Sequence, residues 1–119
     1  MGISRILIYL FFAFAALFVL RRILLFVRGG ISVETMNELK AKGALIVDVR
    51  TSGEFASGAA PGSLNIPLDQ LPQRMGELDR TKPIILCCAS GARSGYAQRF
   101  LQQAGYPEVY NAGPWQRVL

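Results

Sequence analysis

The feature that most constrains the fold is the stretch of residues 84–94, in which an apolar run ends at two cysteines and a turn of small residues follows. Residues 84–87 form a short run that is apolar at consecutive positions, which is typical of a parallel strand buried on both faces. An amphipathic pattern then opens at Ala92 and predicts a helix that ends near Gln103. The stretch therefore predicts a strand, a tight loop and a helix, the repeating unit of a parallel α/β sheet.

The loop of small residues is suited to holding a negative charge. Without bulky side chains, successive backbone N–H groups can point inward, and the following helix adds its unpaired amides and the positive end of its dipole. A thiol at the bottom of this loop, Cys88, should have a pKa below the ordinary value of about 8.5 and be a reactive thiolate. The candidate binding residues are the loop positions Ala89, Ser90, Gly91, Ala92 and Arg93.

The sequence contains no histidine, which excludes Cys/His and Ser/His/Asp catalysis. Cys88 would therefore be activated by backbone amides rather than by a side-chain base. Because neighbouring side chains of a strand face opposite ways, Cys87 should face the core if Cys88 faces the loop; a role as a resolving thiol is the alternative. Two adjacent cysteines make a strained disulfide and a poor metal site, so we expect neither metal nor cofactor.

An apolar run near the N-terminus predicts a membrane anchor. Residues 6–20 would form a helix of about 22 Å, short of a hydrocarbon core of about 30 Å. Residues 6–27 would span the core if the arginines that follow Leu20 extend their charged ends to its surface. A secretory signal peptide is the alternative, but its Ala-x-Ala pattern occurs only at residues 13–15, inside the apolar run.

The distribution of charge divides the chain into residues 1–30, an anchor and linker, and residues 31–119, a globular domain. The charged side chains of residues 1–30 are Arg5, Arg21, Arg22 and Arg28. Three of these arginines follow the apolar core, which predicts a cytoplasmic domain, with the extracytoplasmic side as the alternative. Residues 31–119 carry nine basic and eight acidic side chains, so no nucleic-acid surface is indicated.

Strand and helix patterns alternate along residues 31–119, after a short joint at Gly29 and Gly30. Residues 31–33 are either a short strand or the start of the helix that follows. Helical patterns lie at residues 34–42, 51–57 and 92–103, with a helical or looped crossover at 68–78 and a last turn at 113–119. Strand patterns lie at residues 44–49, 63–66, 84–87 and 108–110. This alternation predicts an α/β fold, a parallel sheet flanked by helices and preceded by one transmembrane helix, with ligand chemistry at the carboxyl ends of the strands.

Four motifs, in order and spacing, resemble the signatures of a single-domain rhodanese. They are Asp-Val-Arg at 48–50 with Glu-Phe at 54–55, Gly-Ala-Ala-Pro-Gly-Ser-Leu-Asn-Ile-Pro at 58–67, Cys-Ala-Ser-Gly-Ala-Arg-Ser at 88–94, and Tyr-Asn-Ala-Gly-Pro-Trp at 110–115. Two departures are Ala59, where the family usually has histidine, and Pro114, where it often has glycine. Both lie outside the loop, so we expect them to affect packing or substrate approach more than sulfur chemistry.

The resemblance implies a rhodanese-like fold and sulfur transfer through an enzyme persulfide. In that scheme the Cys88 thiolate attacks the outer sulfur of thiosulfate or another sulfane donor, and sulfite leaves. Cyanide or a thiol later removes the sulfur. The amides of residues 89–93 would hold the persulfide anion, and Arg93 at the rim would attract the anionic donor, unless it is only a surface arginine of the helix.

Two other functions remain as alternatives. A cysteine phosphatase has an arginine six residues after its nucleophile, a spacing that Cys87 and Arg93 meet, but no general-acid aspartate stands nearby. A membrane-tethered sulfur carrier, loaded by an unidentified partner protein, would use the same Cys88. We interpret Asp48, Arg50 and Glu54 as a structural network, in which Arg50 can pair with Glu54, and Trp115 as a core or lid aromatic.

Overall fold

The computed structural model describes residues 2–27 and 30–119. Within them the helices are α1 Gly2–Val27, α2 Val33–Ala41, α3 Ser52–Ala56, α4 Leu71–Arg74 and α5 Ala92–Gln103. The strands are β1 Leu45–Asp48, β2 Leu64–Asn65, β3 Ile84–Cys88 and β4 Val109–Pro114. Short 3₁₀ turns lie at Leu68–Gln70, Met75–Glu77 and Trp115–Val118. The predicted joint at Gly29 falls outside the described residues.

The described strands form one parallel sheet in the order β2-β1-β3-β4. This order places β3 between two other strands, with its carboxyl end and the loop after it near the middle of one sheet edge. The predicted α/β fold, a parallel sheet flanked by helices, is confirmed. The edge at the carboxyl ends of the strands is also where parallel α/β sheets bind their ligands.

Several predicted boundaries are wrong at the carboxyl edge of the sheet. The third strand includes Cys88, and the fourth reaches Pro114 instead of ending at residue 110. The reason is pairing: Gly113 lies opposite Cys87, and Pro114 lies opposite Cys88. The chain therefore stays extended where a helical turn was expected, and only a 3₁₀ turn follows.

The two faces of the sheet carry separate apolar clusters, which alternate along β3 as strand geometry requires. The cluster on the α5 side contains Val47, Val49, Ile66, Leu71, Leu78, Ile84, Leu86, Cys88, Ala97, Leu101, Tyr106 and Val109. The cluster on the α2 side contains Met36, Leu39, Ala60, Ile85, Cys87, Ala112 and Val118. The two cysteines thus belong to opposite faces of one sheet.

Helix α2 begins at Val33, so residues 31–33 lead into a helix rather than form a strand of their own. Ser32 caps this helix, since its side chain accepts a hydrogen bond from the Thr35 N–H at 3.2 Å. The Ile31 N–H donates to the Asn111 carbonyl at 3.2 Å. The chain therefore starts its folded part against β4.

Helix α1 is long and apolar, with a mean hydropathy of 2.4 over Gly2–Leu24 and none of that segment buried against the rest of the structure. By length and composition it could cross a membrane. A signal sequence near an N-terminus would satisfy the same description. The helix is therefore weak support for a membrane anchor.

Candidate active site

Cys88 lies at the end of β3, beneath the loop that leads into α5. Its Sγ atom accepts a hydrogen bond from the Gly91 N–H, with the nitrogen 2.9 Å from the sulfur. The Ser94 N–H points at the same atom from 3.5 Å, and the Ser94 hydroxyl oxygen lies 3.3 Å from it. The residue is fully buried, so these donors replace water around the sulfur.

The loop holds this shape because Gly91 adopts a left-handed conformation, with φ at +101°, immediately before α5. A Cβ atom at this position would lie 3.1 Å from the Cα atom of Gly113, which is closer than side chains normally approach. Gly113 itself has φ at +85°. The backbones of Gly91 and Gly113 are therefore in close contact where the loop crosses the end of β4.

Two opposing effects act on the pKa of the Cys88 thiol. Burial raises that pKa, because a charged sulfur loses its hydration. The hydrogen bonds from the Ser94 hydroxyl and from the backbone N–H groups of Ser94, Gly91 and Ser90 lower the pKa by more, since they stabilise the thiolate. The net direction is below the ordinary value, which is the condition for a nucleophilic cysteine.

Cys87 faces the other side of the sheet, in the cluster on the α2 side, as strand alternation predicts. Burial raises the pKa of this thiol to about 12, and the negative charge of Asp48 adds to the shift. A thiol in that environment stays protonated and unreactive near neutral pH. The arrangement favours a structural role for Cys87.

Arg93 lies at the rim of the loop and forms a two-pronged ion pair with Glu54 of α3. Its Nη1 and Nη2 atoms lie 2.7 and 3.0 Å from Glu54 Oε1 and Oε2. Arg93 holds the pKa of the Glu54 carboxyl at about 2, with help from the Thr51 N–H. The charge that was expected to attract an anionic donor is thus balanced by a carboxylate.

The predicted pairing of Arg50 with the Glu54 side chain is wrong. Arg50 instead surrounds the buried carboxylate of Asp48, with its Nη2 and Nε atoms 2.8 and 3.0 Å from Asp48 Oδ2. Its guanidinium also donates to the backbone carbonyls of Glu54 and Gly58 and lies over the Trp115 ring. Arg50 precedes α3, so the spacing of four that pairs residues within a helix does not apply to it. The contacts are those of a structural network.

A second network connects the loop to β4 through Asn111. The Ser94 hydroxyl oxygen lies 2.7 Å from Asn111 Oδ1, and the Gly113 N–H donates to the same Oδ1 from 2.9 Å. The Asn111 Nδ2 group donates to the Gly91 carbonyl at 3.1 Å. One amide side chain therefore contacts two of the residues that hydrogen-bond the sulfur, Gly91 and Ser94.

A cavity of about 460 Å³ opens beside the rim of the loop. Its walls are mostly apolar and include Pro67, Leu68, Tyr96 and Phe100, together with Thr51 and the loop residue Arg93. Its size suits a small organic molecule or the side chains of a partner. The cavity lies next to the sulfur site, and Cys88 does not line it.

The predicted site residues divide into those that face the sulfur and those that do not. Gly91 and Ser90 direct their N–H groups at Cys88. The Ala92 N–H turns instead to the Ser90 hydroxyl at 3.4 Å. Ala89 is exposed, and within residues 2–27 and 30–119 no hydrogen bond joins it to the sulfur.

Sequence reasoning assigned no role to Ser94 or Asn111, although both lie within the motifs. Ser94 could have been noticed, because a hydroxyl in the first turn after the loop lies within reach of the preceding strand end. Asn111 carries no comparable signal, because it lies just beyond the predicted end of the fourth strand, and its contacts depend on β4 lying beside β3. Glu54 was expected to contact Arg50, and its contact with Arg93 joins residues 39 positions apart.

Comparison with known proteins gives a consistent picture. A sequence model of the rhodanese-like domain family matches residues 32–112. A sulfurtransferase of Allochromatium vinosum is 42% identical over 67 residues, which cover 56% of this chain and 63% of that protein. The thiosulfate sulfurtransferase GlpE of Shewanella oneidensis is 31% identical over 72 residues, covering 60% of this chain and 71% of GlpE.

Among solved structures, a rhodanese-related protein from Thermoplasma volcanium superposes with a TM-score of 0.65 and 32% sequence identity. That superposition covers 74% of this chain and 87% of the other. The match to the A. vinosum protein, by contrast, spans less than two thirds of its length. The matched region of this chain contains β1 to β3, the loop and α5.

Proposed function

Because the chain belongs to the rhodanese-like domain family, we propose that it is a sulfurtransferase that carries sulfane sulfur as a persulfide on Cys88. The observation that carries the proposal is the hydrogen bond from the Gly91 N–H to the buried Cys88 Sγ atom, with the nitrogen 2.9 Å from the sulfur. A donor placed there stabilises negative charge on the sulfur before and after it accepts a second sulfur atom. Backbone amides thereby take the place of the histidine that the sequence lacks.

The proposed reaction has two nucleophilic displacements. First, the Cys88 thiolate attacks the outer sulfur of thiosulfate, the S–S bond of thiosulfate breaks, and sulfite leaves with the bonding electron pair. Cys88 then carries a persulfide with its negative charge on the terminal sulfur. In the second step a cyanide ion or a thiolate attacks that terminal sulfur, and thiocyanate or a new persulfide leaves while the Cys88 thiolate re-forms.

The loop is the part of the site that supports this sequence of steps. The amides of Ser90, Gly91 and Ser94 converge on Sγ, and the positive end of the α5 dipole adds to their field. These groups are fixed before any substrate arrives, so they stabilise charge without reorganising during the reaction. Thiosulfate is proposed as the donor because GlpE and other relatives carry its name.

The orientation of Cys87 argues against a cysteine phosphatase. The phosphatase spacing of six residues counts from Cys87 to Arg93, but the Cys87 side chain packs in the cluster on the α2 side. Its pKa is raised to about 12, so it would not supply a thiolate. Turnover of an aryl phosphate by the protein would contradict this argument.

A sulfur carrier is the second candidate, and the rim of the loop favours it. Arg93 is neutralised by Glu54, and Cys88 is fully buried, so the site is poorly arranged to capture a small anion from solution. A carrier would accept sulfur from the persulfide of a docked partner instead. Faster loading of Cys88 by a protein persulfide than by thiosulfate would favour the carrier over the enzyme.

We further propose that α1 is an uncleaved anchor that holds residues 31–119 at the cytoplasmic face of a membrane. The length of Gly2–Val27 and the three arginines that follow the apolar core in the sequence, Arg21, Arg22 and Arg28, support this topology. A reporter that is active only in the cytoplasm, fused after Leu119, should be active and should migrate with the uncleaved chain. Release of the reporter in a shortened form would indicate a signal peptide.

The test of the proposed function uses the full chain in detergent. With thiosulfate and cyanide it should produce thiocyanate, and intact-mass spectrometry after thiosulfate alone should show the gain of one sulfur atom. Cys88→Ser should abolish both signals, whereas the matched variant Cys87→Ala should keep them. Loss of both signals in Cys87→Ala, with Cys88→Ser active, would move the nucleophile to Cys87.

A further inference from the structure

The hydroxyl group of Ser94 has one proton and two neighbouring acceptors. Its oxygen lies 2.7 Å from Asn111 Oδ1 and 3.3 Å from Cys88 Sγ. When Cys88 is a thiol, its S–H can donate to the Ser94 oxygen while the hydroxyl donates to Asn111. When Cys88 is a thiolate, the hydroxyl must turn to the sulfur to stabilise it, and Asn111 gives up that hydrogen bond.

The orientation of the Asn111 amide is fixed by its other contacts. The Oδ1 atom accepts from the Gly113 N–H at 2.9 Å, and the Nδ2 group donates to the Gly91 carbonyl at 3.1 Å. Exchanging the two amide atoms would place the Nδ2 group against the Gly113 N–H, which are both donors. It would also place Oδ1 against the Gly91 carbonyl, which are both acceptors. The atom that faces Ser94 is therefore an acceptor.

The alternation of side chains along β4 explains why Asn111 reaches this position. Val109 packs on the α5 side, and Tyr110 and Ala112 pack on the α2 side. Because neighbouring side chains of a strand face opposite ways, Asn111 faces the α5 side, where the loop lies. The bulge that skips Ala112 in the pairing with β3 comes after Asn111, which itself lies opposite Leu86.

We propose that Asn111 is a positioning residue that competes with Cys88 for the proton of the Ser94 hydroxyl and so sets how strongly Ser94 stabilises the thiolate. The inference rests on the proposed function only in taking Cys88 as the reactive group. Asn111 does not touch the sulfur. It acts through Ser94, and the strength of its acceptor decides how readily the hydroxyl turns to the sulfur.

The other ionisable groups around Cys88 stay constant in this comparison. Arg93 of α5 is held by Glu54 of α3, the Arg50 guanidinium is held by Asp48 at the end of β1, and Cys87 lies on the opposite face of β3. These groups act on the ionisation of Cys88 whatever residue stands at position 111. The Ser94 contribution depends on the acceptor there, whereas the contact of Asn111 Nδ2 with the Gly91 carbonyl acts on the loop with or without the Ser94 hydroxyl.

The test measures how far Ser94→Ala moves the pKa of Cys88 in three backgrounds: Asn111 unchanged, Asn111→Ala and Asn111→Asp. The pKa is read from the ultraviolet absorbance of the thiolate in the full chain in detergent, as the difference from the same protein carrying Cys88→Ser. With Asn111 unchanged, Ser94→Ala should raise the pKa by about one unit, a tenfold loss of thiolate below the midpoint. Ser94→Thr, which keeps a hydroxyl, should restore the original pKa.

The expected order of the Ser94→Ala shift is largest with Asn111→Ala, intermediate with Asn111 and smallest with Asn111→Asp. Without an acceptor the hydroxyl donates fully to the sulfur, whereas a carboxylate retains the proton. Loosening of the loop or added charge at position 111 would move the pKa equally with and without Ser94, and so would not create this order. Asn37→Asp, an exposed change in α2, controls for added charge.

Equal shifts in the three backgrounds, or the reverse order, would overturn the role of Asn111. If one variant at position 111 does not fold, the difference between the other and Asn111 still tests the direction. The readout does not depend on sulfur transfer. An equal shift in every background would leave the proposed function intact, and absence of persulfide on a Cys88 that shows the expected order would refute only the proposed function.

Discussion

Two neighbouring thiols in this protein have opposite properties. Cys87 and Cys88 are adjacent on β3, and both are fully buried. Burial raises the pKa of Cys87 to about 12, whereas hydrogen bonds lower the pKa of Cys88 below its ordinary value despite the same burial. Equal burial thus accompanies pKa shifts in opposite directions, depending on whether N–H and O–H donors surround the sulfur. The difference shows that the loop activates the cysteine, whereas the strand only fixes its position.

The largest expected effect comes from making the Cys88 environment resemble that of Cys87. Gly91→Ala places a Cβ atom 3.1 Å from Gly113 Cα and strains a backbone at φ +101°, so the Gly91 N–H should turn from the sulfur. We expect sulfur transfer to fall by about a hundredfold, as when one preorganised donor is removed from an enzyme's anion site. Thiocyanate production by the full chain measures the change.

The matched control is Gly43→Ala, at a glycine with φ +83° and open space around its Cβ position. It introduces a similar backbone strain of about 1 kcal/mol, remote from the loop. Activity should therefore be unchanged while the melting temperature falls slightly. An equal loss of activity in both variants would mean that global stability, rather than the loop, explains the result.

The pH dependence of the first step tests the difference in pKa between the two thiols. Because the thiolate attacks and the pKa of Cys88 is lowered, the rate should rise with pH tenfold per unit and level off at a midpoint below the pKa of an ordinary thiol. Burst kinetics of sulfite release from thiosulfate give this rate. In Gly91→Ala the midpoint of this pH profile should move upward. If the midpoint of the unaltered protein lies above the pKa of a free thiol, the proposed activation is contradicted.

A smaller effect is expected at the rim, where Glu54 neutralises Arg93. Glu54→Gln retains a capping side chain for α3 but frees the positive charge of Arg93. The KM for thiosulfate should fall severalfold at low salt, with kcat nearly constant, and the gain should fade as salt screens the charge. Glu77→Gln, which breaks the exposed pair with Arg74, is the control and should leave KM unchanged.

The smallest effect belongs to Cys87 itself. Cys87→Ala removes a buried sulfur from the cluster on the α2 side and should lower the free energy of unfolding by about 1 kcal/mol, as small deletions in a core do. The rate of sulfur transfer should stay within a factor of two. A persulfide that decays more slowly in this variant would instead reveal a role as a resolving thiol.

The βα unit at residues 84–103 could be predicted from the sequence because its signals are local. An apolar run, small loop residues and a helical stripe each follow from neighbouring positions, and α5 begins and ends at Ala92 and Gln103 as expected. The lowered pKa of Cys88 follows from the same reasoning. Local sequence patterns are sufficient to predict a unit that one continuous segment of the chain forms by itself.

The contacts made by distant segments could not be predicted in the same way. Glu54 of α3 pairs with Arg93 of α5 across 39 positions of the chain, which no spacing within either helix reveals. The Asn111 contacts depend on β4 lying beside β3, and the sequence of β4, with Gly113 and Pro114, disfavours a strand that reaches so far. Tertiary pairing outweighs the local preference at these positions.

The contact between Gly91 and Gly113 has a consequence for how such a chain can change over generations. Position 91 has no room for a side chain, because the Gly113 Cα atom lies 3.1 Å from where its Cβ would be, although the two residues belong to different elements. Gly113 already lacks a side chain, so no substitution there can make room for one at position 91. Natural selection should therefore keep position 91 as glycine, without a compensating change elsewhere that could release it.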